Sequence, residues 1–292
     1  MKVLVTGANG QVGWELQNQS CCYNFDLYAL DHKSLDITDT KAISEQVLRY
    51  QPEIIINTAG YTSVDLAEQE DSVAHAVNCS GPRRLAEICK ETATMLIHLS
   101  TDYVFNGFQD EPYIEEDTTD PVNVYGITKL EGENKIRSIL DDHIILRTSW
   151  VFGNHGNNFI KTIINLAKEK KEIKVIDDQY GCPTSAKSVA KSILDLTRSY
   201  FTQKRFQFGT YHYTGLPITT WYAFAKEGLN IALRENLIPE IPLIKPVSSE
   251  EYKTLSRRPI NSSLSSKKIQ NTFGIKPSDW ISDLEYMIAH LN

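Results

Sequence analysis

Tyr125 and Lys129 form a Tyr-x-x-x-Lys pair downstream of an apolar run, Met95-Leu96-Ile97-His98-Leu99, that ends in Ser100-Thr101-Asp102. A hydroxyl at the end of a buried strand, followed by Tyr and Lys one helical turn apart, can move a proton onto or off a carbonyl oxygen. A free phenol titrates near pH 10, too high for acid–base work at neutrality. An ammonium one turn away stabilises the phenolate, so Lys129 is expected to lower the Tyr125 pKa. The same pattern occurs at Tyr200/Lys204 and Tyr222/Lys226. Those two read as helix-surface pairs, because only Tyr125 follows both a Ser-Thr strand end and a dinucleotide fingerprint.

That fingerprint opens the chain. Lys2-Val3-Leu4-Val5-Thr6 is a β-branched apolar run, read as a buried parallel strand. Gly7, Gly10 and Gly13 follow within Gly7-Ala8-Asn9-Gly10-Gln11-Val12-Gly13, and helix-like sequence comes next. Glycines so spaced permit a tight turn, close approach to a pyrophosphate and close helix–strand packing. The helix N-terminus adds free N–H groups and a positive dipole end. The run Phe25–Leu30 leads into Asp31, about 18 residues past Gly13, near the separation of a ribose-binding acid. Its carboxylate favours NADH by repelling a 2′-phosphate, while His32 and Lys33 offset that charge. Use of both NADH and NADPH is expected.

These residues need a scaffold, and the rest of the chain supplies its pattern. The 292 residues, 41% hydrophobic and 23% charged, suit one large α/β domain or two smaller ones. A net charge of -7 argues against non-specific nucleic-acid binding. No apolar run approaches the roughly 20 residues of a membrane span. The N-terminus reads as a strand and not as a signal peptide, and the five cysteines contain no Cys-x-x-Cys. Reduced thiols in a cytoplasmic protein are expected. Strand and helix patterns alternate through the first half, with a helix over 40–50, a strand over 53–57, helices over about 63–69 and 72–92, a strand over 95–99, a helix over 125–139 and a strand over 143–147. Such alternation predicts a Rossmann-type, doubly wound parallel sheet, with ligands at the strands' carboxyl ends. Residues 1–150 form the expected dinucleotide-binding domain. Residues 151–292 are read as mainly a smaller substrate-binding lobe, with some segments returning to the first domain. The stretch 239–246 is Pro-rich and read as irregular.

Beyond these local readings, the chain resembles the extended short-chain dehydrogenase/reductases, and within them is similar to the dTDP-4-dehydrorhamnose reductases. The resemblance runs over nearly the whole length. Its motifs include Asn57-Thr58-Ala59 with Val64-Asp65-Leu66-Ala67-Glu68, Ser100-Thr101-Asp102-Tyr103-Val104-Phe105, Asn123-Val124-Tyr125-Gly126, Arg147-Thr148-Ser149-Trp150-Val151-Phe152-Gly153 and Arg258-Pro259-Ile260-Asn261-Ser262. It implies reduction of the C4 ketone of dTDP-4-dehydro-6-deoxy-L-mannose to dTDP-L-rhamnose. By the same resemblance Tyr125 would donate the proton to sugar O4, Lys129 would bind the nicotinamide ribose, and Thr101 would hydrogen-bond the ketone. Asp102 and Trp150 would contact the sugar nucleotide. Gly10, Gln11, Val12, Asp31, Asp36, Ile37, Ala59, Gly60 and Tyr61 would line the cofactor.

Other residues carry weaker expectations. Arg257 or Arg258 could fork onto a diphosphate, with a surface ion pair as the plain reading. Trp150 could pack in a core or stack beside a ligand. The histidines show no metal-ligand spacing, and Asp177-Asp178 reads as a solvated turn; no metal is expected. Some relatives form Mg²⁺-bridged dimers through a glutamate at the place of Glu15. No partner acids are evident here, so a homodimer is the candidate assembly without that bridge. Two rival functions fit the same fold: a nucleotide-sugar epimerase or dehydratase, and a non-catalytic regulatory subunit that binds NAD(P). Intact Thr101, Tyr125 and Lys129 count against the second.

Overall fold

The computed structural model describes residues 1–203 and 205–291, so the Lys204 of the second Tyr-x-x-x-Lys pair lies outside the described residues. The first half alternates β1 (Lys2–Thr6), α1 (Gln11–Gln19), β2 (Asp26–Leu30), α2 (Thr40–Tyr50) and β3 (Ile54–Asn57). Short helices α3 (Val64–Ala67) and α4 (Asp71–His75) lead to α5 (Gly81–Thr92), β4 (Met95–Thr101), α6 (Val124–Ile139) and β5 (His143–Thr148). A sixth strand, Gly209–His212, joins the far edge of the sheet, whose order is Gly209–His212, β5, β4, β3, β1, β2. Every pairing in it is parallel.

Why these strands are so apolar follows from their position. A parallel sheet covered on both faces buries both sets of alternating side chains. On one face Val3, Val5, Ile54, Ile56, Ile97 and Leu146 pack with α1 and with the helix Ala186–Thr202. On the other, Leu4, Ile55, Leu96 and Ile145 meet Ile43 of α2, Leu85 of α5 and Ile136 of α6. Ile54, Ile55 and Ile56 are all fully buried, each contributing roughly 1.5–3 kcal/mol relative to exposure. A separate core, built from Ile160, Ile163, Phe224, Leu229, Trp280 and Leu284, holds the second lobe.

Two segments depart from the sequence expectation. The helix anticipated over 72–92 is broken by a π-turn at Ala76–Ser80. Pro82 has no N–H to offer the Asn78 carbonyl, so the α ladder cannot run through. That carbonyl instead faces Gly132 of α6, where an added Cβ would lie 2.1 Å from it. The segment read as irregular contains the strand Leu243–Val247, which pairs in parallel with Glu172–Ile176. Pro246 is tolerated because this two-stranded sheet has only edges. The apolar strand expected over 95–99 also runs on to Thr101, in register with Thr148 of β5.

Candidate active site

At the carboxyl edge of the sheet a cleft of about 530 Å³ gathers Gly10, Gln11, Thr101, Tyr125, Lys129 and Trp150 within one lining. Val12, Gly13, Ala59, Gly60 and Asp102 share its walls. A smaller adjoining cavity of about 290 Å³ is lined by Gly7, His32, Asp36, Ile37 and Tyr61. Asp31 does not line either. It stands just past the end of β2, where its carboxylate accepts from Asn9 Nδ2 at 3.0 Å and from Ser34 N and Oγ at 2.9 and 2.7 Å. Those bonds hold its pKa below the usual carboxylate range, Ser34 foremost.

The glycine turn is built for close approach. Gly7 has φ +74°, and a Cβ there would meet Ala59 N at 2.6 Å. A Cβ on Gly13 would meet Gly7 O at 2.3 Å. Gly10 N donates back to Gly7 O at 3.0 Å, which leaves the N–H groups of Gln11, Val12 and Gly13 as the unpaired first turn of α1. Backbone donors, a dipole end and no side-chain obstruction fit a dinucleotide pyrophosphate. The loop below is braced by Asn78, which accepts from Tyr61 N at 2.8 Å and donates to Tyr61 O at 3.0 Å.

Helix α6 delivers Tyr125 and Lys129. Asn123 caps it, its side chain accepting from Gly126 N at 2.8 Å. Gly126 lets the helix press on the turn after β4, since a Cβ there would lie 2.2 Å from Tyr103 O. The Thr101 hydroxyl donates to Asp102 Oδ1 at 2.9 Å and accepts from Tyr103 N at 3.2 Å. Asp102 is buried, and its Oδ2 has no hydrogen-bond partner, although the Ser149 and Ser262 hydroxyls lie close enough to favour its charge. Burial dominates and pushes this carboxyl up to about 6.

The electrostatics of the pair differ from the expected scheme. Burial pushes the Tyr125 phenol up to about 12, helped by the Asp102 carboxylate and opposed by the Thr101 hydroxyl. Lys129 has itself been brought down to about 8 by burial, against the pull of Glu133. Its Nζ donates to Leu99 O at 2.6 Å and meets His98 Nε2 at 3.3 Å. Thus the amine is turned into the sheet, and the phenol's pKa is raised by its burial.

The opposite wall belongs to the second lobe. Trp150 adopts φ +46°, a left-handed conformation costly for a bulky residue. Its ring stacks on Trp221, centroids 3.5 Å apart, and lies against Gly181, where a Cβ would meet the indole at 2.3 Å. Trp150 therefore combines both anticipated settings, core stacking and cleft lining. Gln11 bridges the lobes, accepting from Asn158 Nδ2 at 3.2 Å.

Several contacts that matter here were not legible in the sequence, although Thr6, Asn57, Ser100 and Arg147 lie in runs it singles out. Trp221 stands far along the chain, and nothing local marks it. Thr6, Asn57 and His98 form a row across β1, β3 and β4 because the strand register aligns them. Ser100, Arg147 and His212 form a second row across β4, β5 and Gly209–His212, and Glu133 of α6 closes it. Of the two arginines weighed for a diphosphate, Arg258 Nη2 pairs with Asp65 Oδ2 at 3.0 Å, and the Arg257 guanidinium lies 5.7 Å from the Phe108 ring centroid. Asp177 and Asp178 accept from Thr220 Oγ1 and from Ser249 N and Oγ. Away from the cleft, ligand atoms of His75, Cys79 and Glu131 come within 4.8 Å of one another, a grouping the histidine spacing did not reveal. The thiol is its least available member, raised above its ordinary pKa by burial. No helix among the described residues is long and apolar enough to cross a membrane.

This sheet order, a glycine turn at the end of its first strand, and a Thr, Tyr and Lys at its carboxyl edge define the extended short-chain dehydrogenase/reductase class. Within it the chain belongs to the family of the RmlD substrate binding domain, whose model matches residues 1–292. A dTDP-4-dehydrorhamnose reductase of Aggregatibacter actinomycetemcomitans is 39% identical over 290 residues, 99% of either chain. The crystal structure of a dTDP-4-dehydrorhamnose reductase from Clostridium acetobutylicum ATCC 824 superposes with a TM-score of 0.91 at 36% identity, covering 99% of this chain and 98% of that one. That from Bacillus anthracis str. Ames, in complex with NADP, gives 0.89 at 35% identity and 98% of each chain.

Proposed function

We propose that this protein reduces the C4 ketone of dTDP-4-dehydro-L-rhamnose to dTDP-L-rhamnose, the last step of dTDP-rhamnose biosynthesis, with NADPH or NADH as reductant. One observation carries the reading: Thr101, Tyr125 and Lys129 line the same cleft as the glycine turn of α1. In this reading residues 1–150 hold mainly the dinucleotide and residues 151–292 mainly the sugar nucleotide. Gly7, Gly10 and Gly13 admit the pyrophosphate, and Asp36, Ile37, Ala59, Gly60 and Tyr61 border the remainder. Asp31 keeps its charge at the ribose end, with His32 and Lys33 beside it, so neither NADH nor NADPH is favoured outright. The bound dinucleotide supplies the hydride.

Negative charge then develops on sugar O4. Thr101 and Tyr125 donate hydrogen bonds to that oxygen, and Tyr125 transfers its proton to it. A phenol held at about 12 arrives protonated, as a proton donor in a reduction must. Trp150 and Asp102 border the sugar nucleotide. The reading takes the enzyme as cytoplasmic, with a soluble sugar nucleotide as substrate and a homodimer as its assembly.

Absorbance at the reduced-nicotinamide band, with enzymatically made dTDP-4-dehydrorhamnose, tests it. Stoichiometric loss of NAD(P)H is expected, and Tyr125→Phe should slow it by about 10²–10⁴-fold. Turnover of a sugar nucleotide by the purified protein with tightly bound NAD and no net consumption of NAD(P)H would point to the epimerase or dehydratase instead.

A further inference from the structure

Three side chains of metal-ligating type converge where α4 meets α6. His75 closes α4, and the π-turn Ala76–Ser80 that follows carries Cys79. Residues four apart on a helix share a face, and Glu131 of α6 reaches that face from across the junction. His75 Nε2 lies 3.3 Å from Glu131 Oε2. The Cys79 sulfur completes a triangle no side of which exceeds 4.8 Å. The junction is tight because Gly132, next to Glu131, admits the carbonyl of Asn78, next to Cys79.

A surface ion pair accounts for the imidazole and the carboxylate, but not for the thiol beneath them. Tetrahedral zinc holds sulfur at about 2.3 Å and nitrogen or oxygen at about 2.0–2.2 Å, which sets neighbouring ligand atoms about 3.3–3.6 Å apart. The imidazole–carboxylate edge already has that length. From 4.8 Å the sulfur has at most about 1.2 Å to close. Its two partners are free to close it, their side chains being 48% and 46% exposed. We propose that His75, Cys79 and Glu131 bind one Zn²⁺, with water as the fourth ligand.

The donor set selects the ion. One sulfur, one nitrogen and one oxygen suit a borderline-soft cation, whereas Mg²⁺ and Ca²⁺ take oxygen ligands. A thiolate and a carboxylate neutralise Zn²⁺, so the complex brings no net charge to a seam where Cys79 is only 4% exposed. Without the ion the thiol keeps its proton, because burial and the Glu131 charge raise its pKa. Binding forms the zinc–sulfur bond and releases that proton to solvent. The bound ion ties the π-turn to α6 beside Asn78, the brace of the Tyr61 loop, and no residue of the cleft takes part.

Cobalt(II) titration of the full chain tests this site. Cys21 and Cys22 are exposed, with sulfurs 3.9 Å apart, so both are first changed to Ser to remove a rival thiol pair. One equivalent of Co²⁺ should give a sulfur-to-cobalt charge-transfer band in the near ultraviolet and the strong visible bands of a tetrahedral ion. One equivalent of Zn²⁺ should abolish them, and excess Mg²⁺ should not. Cys79→Ser should lose the charge-transfer band, and His75→Gln and Glu131→Gln should each weaken binding by at least about tenfold. No charge-transfer band with cobalt in large excess, a band retained in Cys79→Ser, or unchanged affinity in either Gln variant overturns the proposal. Should Cys79→Ser fail to fold, the two exposed positions decide.

Discussion

Lys129 and Glu133 stand one turn apart on the same face of α6 and meet the sheet in opposite ways. Glu133 is fully buried yet answered: Arg147 Nε and Nη2 reach its two oxygens at 2.9 and 2.7 Å, and Ser100 Oγ donates at 2.6 Å. Those partners hold its carboxyl below the usual range although burial alone would raise it. Lys129 meets a carbonyl and an imidazole, and no carboxylate bonds it. Two ionisable groups at similar depth thus have different fates. The compensated one fastens α6 to β4 and β5. The uncompensated one has its pKa brought down by burial to about 8.

The sharpest way to break this comparison is to remove the compensation. Arg147→Met leaves Glu133 charged in the interior with only the more exposed Arg137 and Ser100, so unfolding free energy should fall by about 3–5 kcal/mol. Denaturant melts followed by circular dichroism measure it. A loss under about 1 kcal/mol would mean that the pair does not fasten the helix.

Lys129→Met should do the reverse. A lysine whose folded pKa is depressed contributes full stability only above its unfolded value, and loses it as pH falls through the folded one. Displacement from 10.5 to about 8 therefore costs the folded protein up to about 3 kcal/mol at pH 7. Methionine removes that cost, so the variant should be as stable as the parent or more so. Its NAD(P)H oxidation should nonetheless fall by at least about 10²-fold. Loss of stability with retained turnover would exchange the roles assigned to the two residues.

How much of this was legible in the sequence depends on how local each signal is. Gly7, Gly10, Gly13, Tyr125 and Lys129 announce themselves because a turn or one helical step fixes their geometry. The sheet could be read because strands buried on both faces must be apolar throughout, as Ile54, Ile55 and Ile56 are. The surroundings of Lys129 and Glu133 could not. They include His98, which faces Asn57, and Arg147, which faces Ser100 and His212, and those contacts exist only once the strand register is set. Trp221 was hidden for the same reason, meeting Trp150 only when the second lobe has folded. The strand Leu243–Val247 was hidden by Pro246, whose missing donor is harmless only on an edge.

A finer test compares two buried groups that titrate in opposite senses. His212, bonded to Tyr113 O and Arg147 Nη1, is held down to about 3 by burial first and the Arg147 charge next. Its folded pKa lies below 6.5, so its contribution is complete above that pH and declines on acidification, by about 2 kcal/mol at pH 5. Asp102 runs the other way. A carboxyl raised from 3.8 to about 6 weakens the folded state at neutrality and relieves it as pH falls from about 6 toward 3.8. Asp102→Asn isolates this. At pH 7.5 the variant should be more stable than the parent by up to about 3 kcal/mol, and the advantage should shrink to roughly half by pH 5 and vanish near 3.8. Parallel stability–pH curves for the two proteins would show that Asp102 is not buried as a charged group, and would leave the Thr101 end of the cleft electrostatically silent.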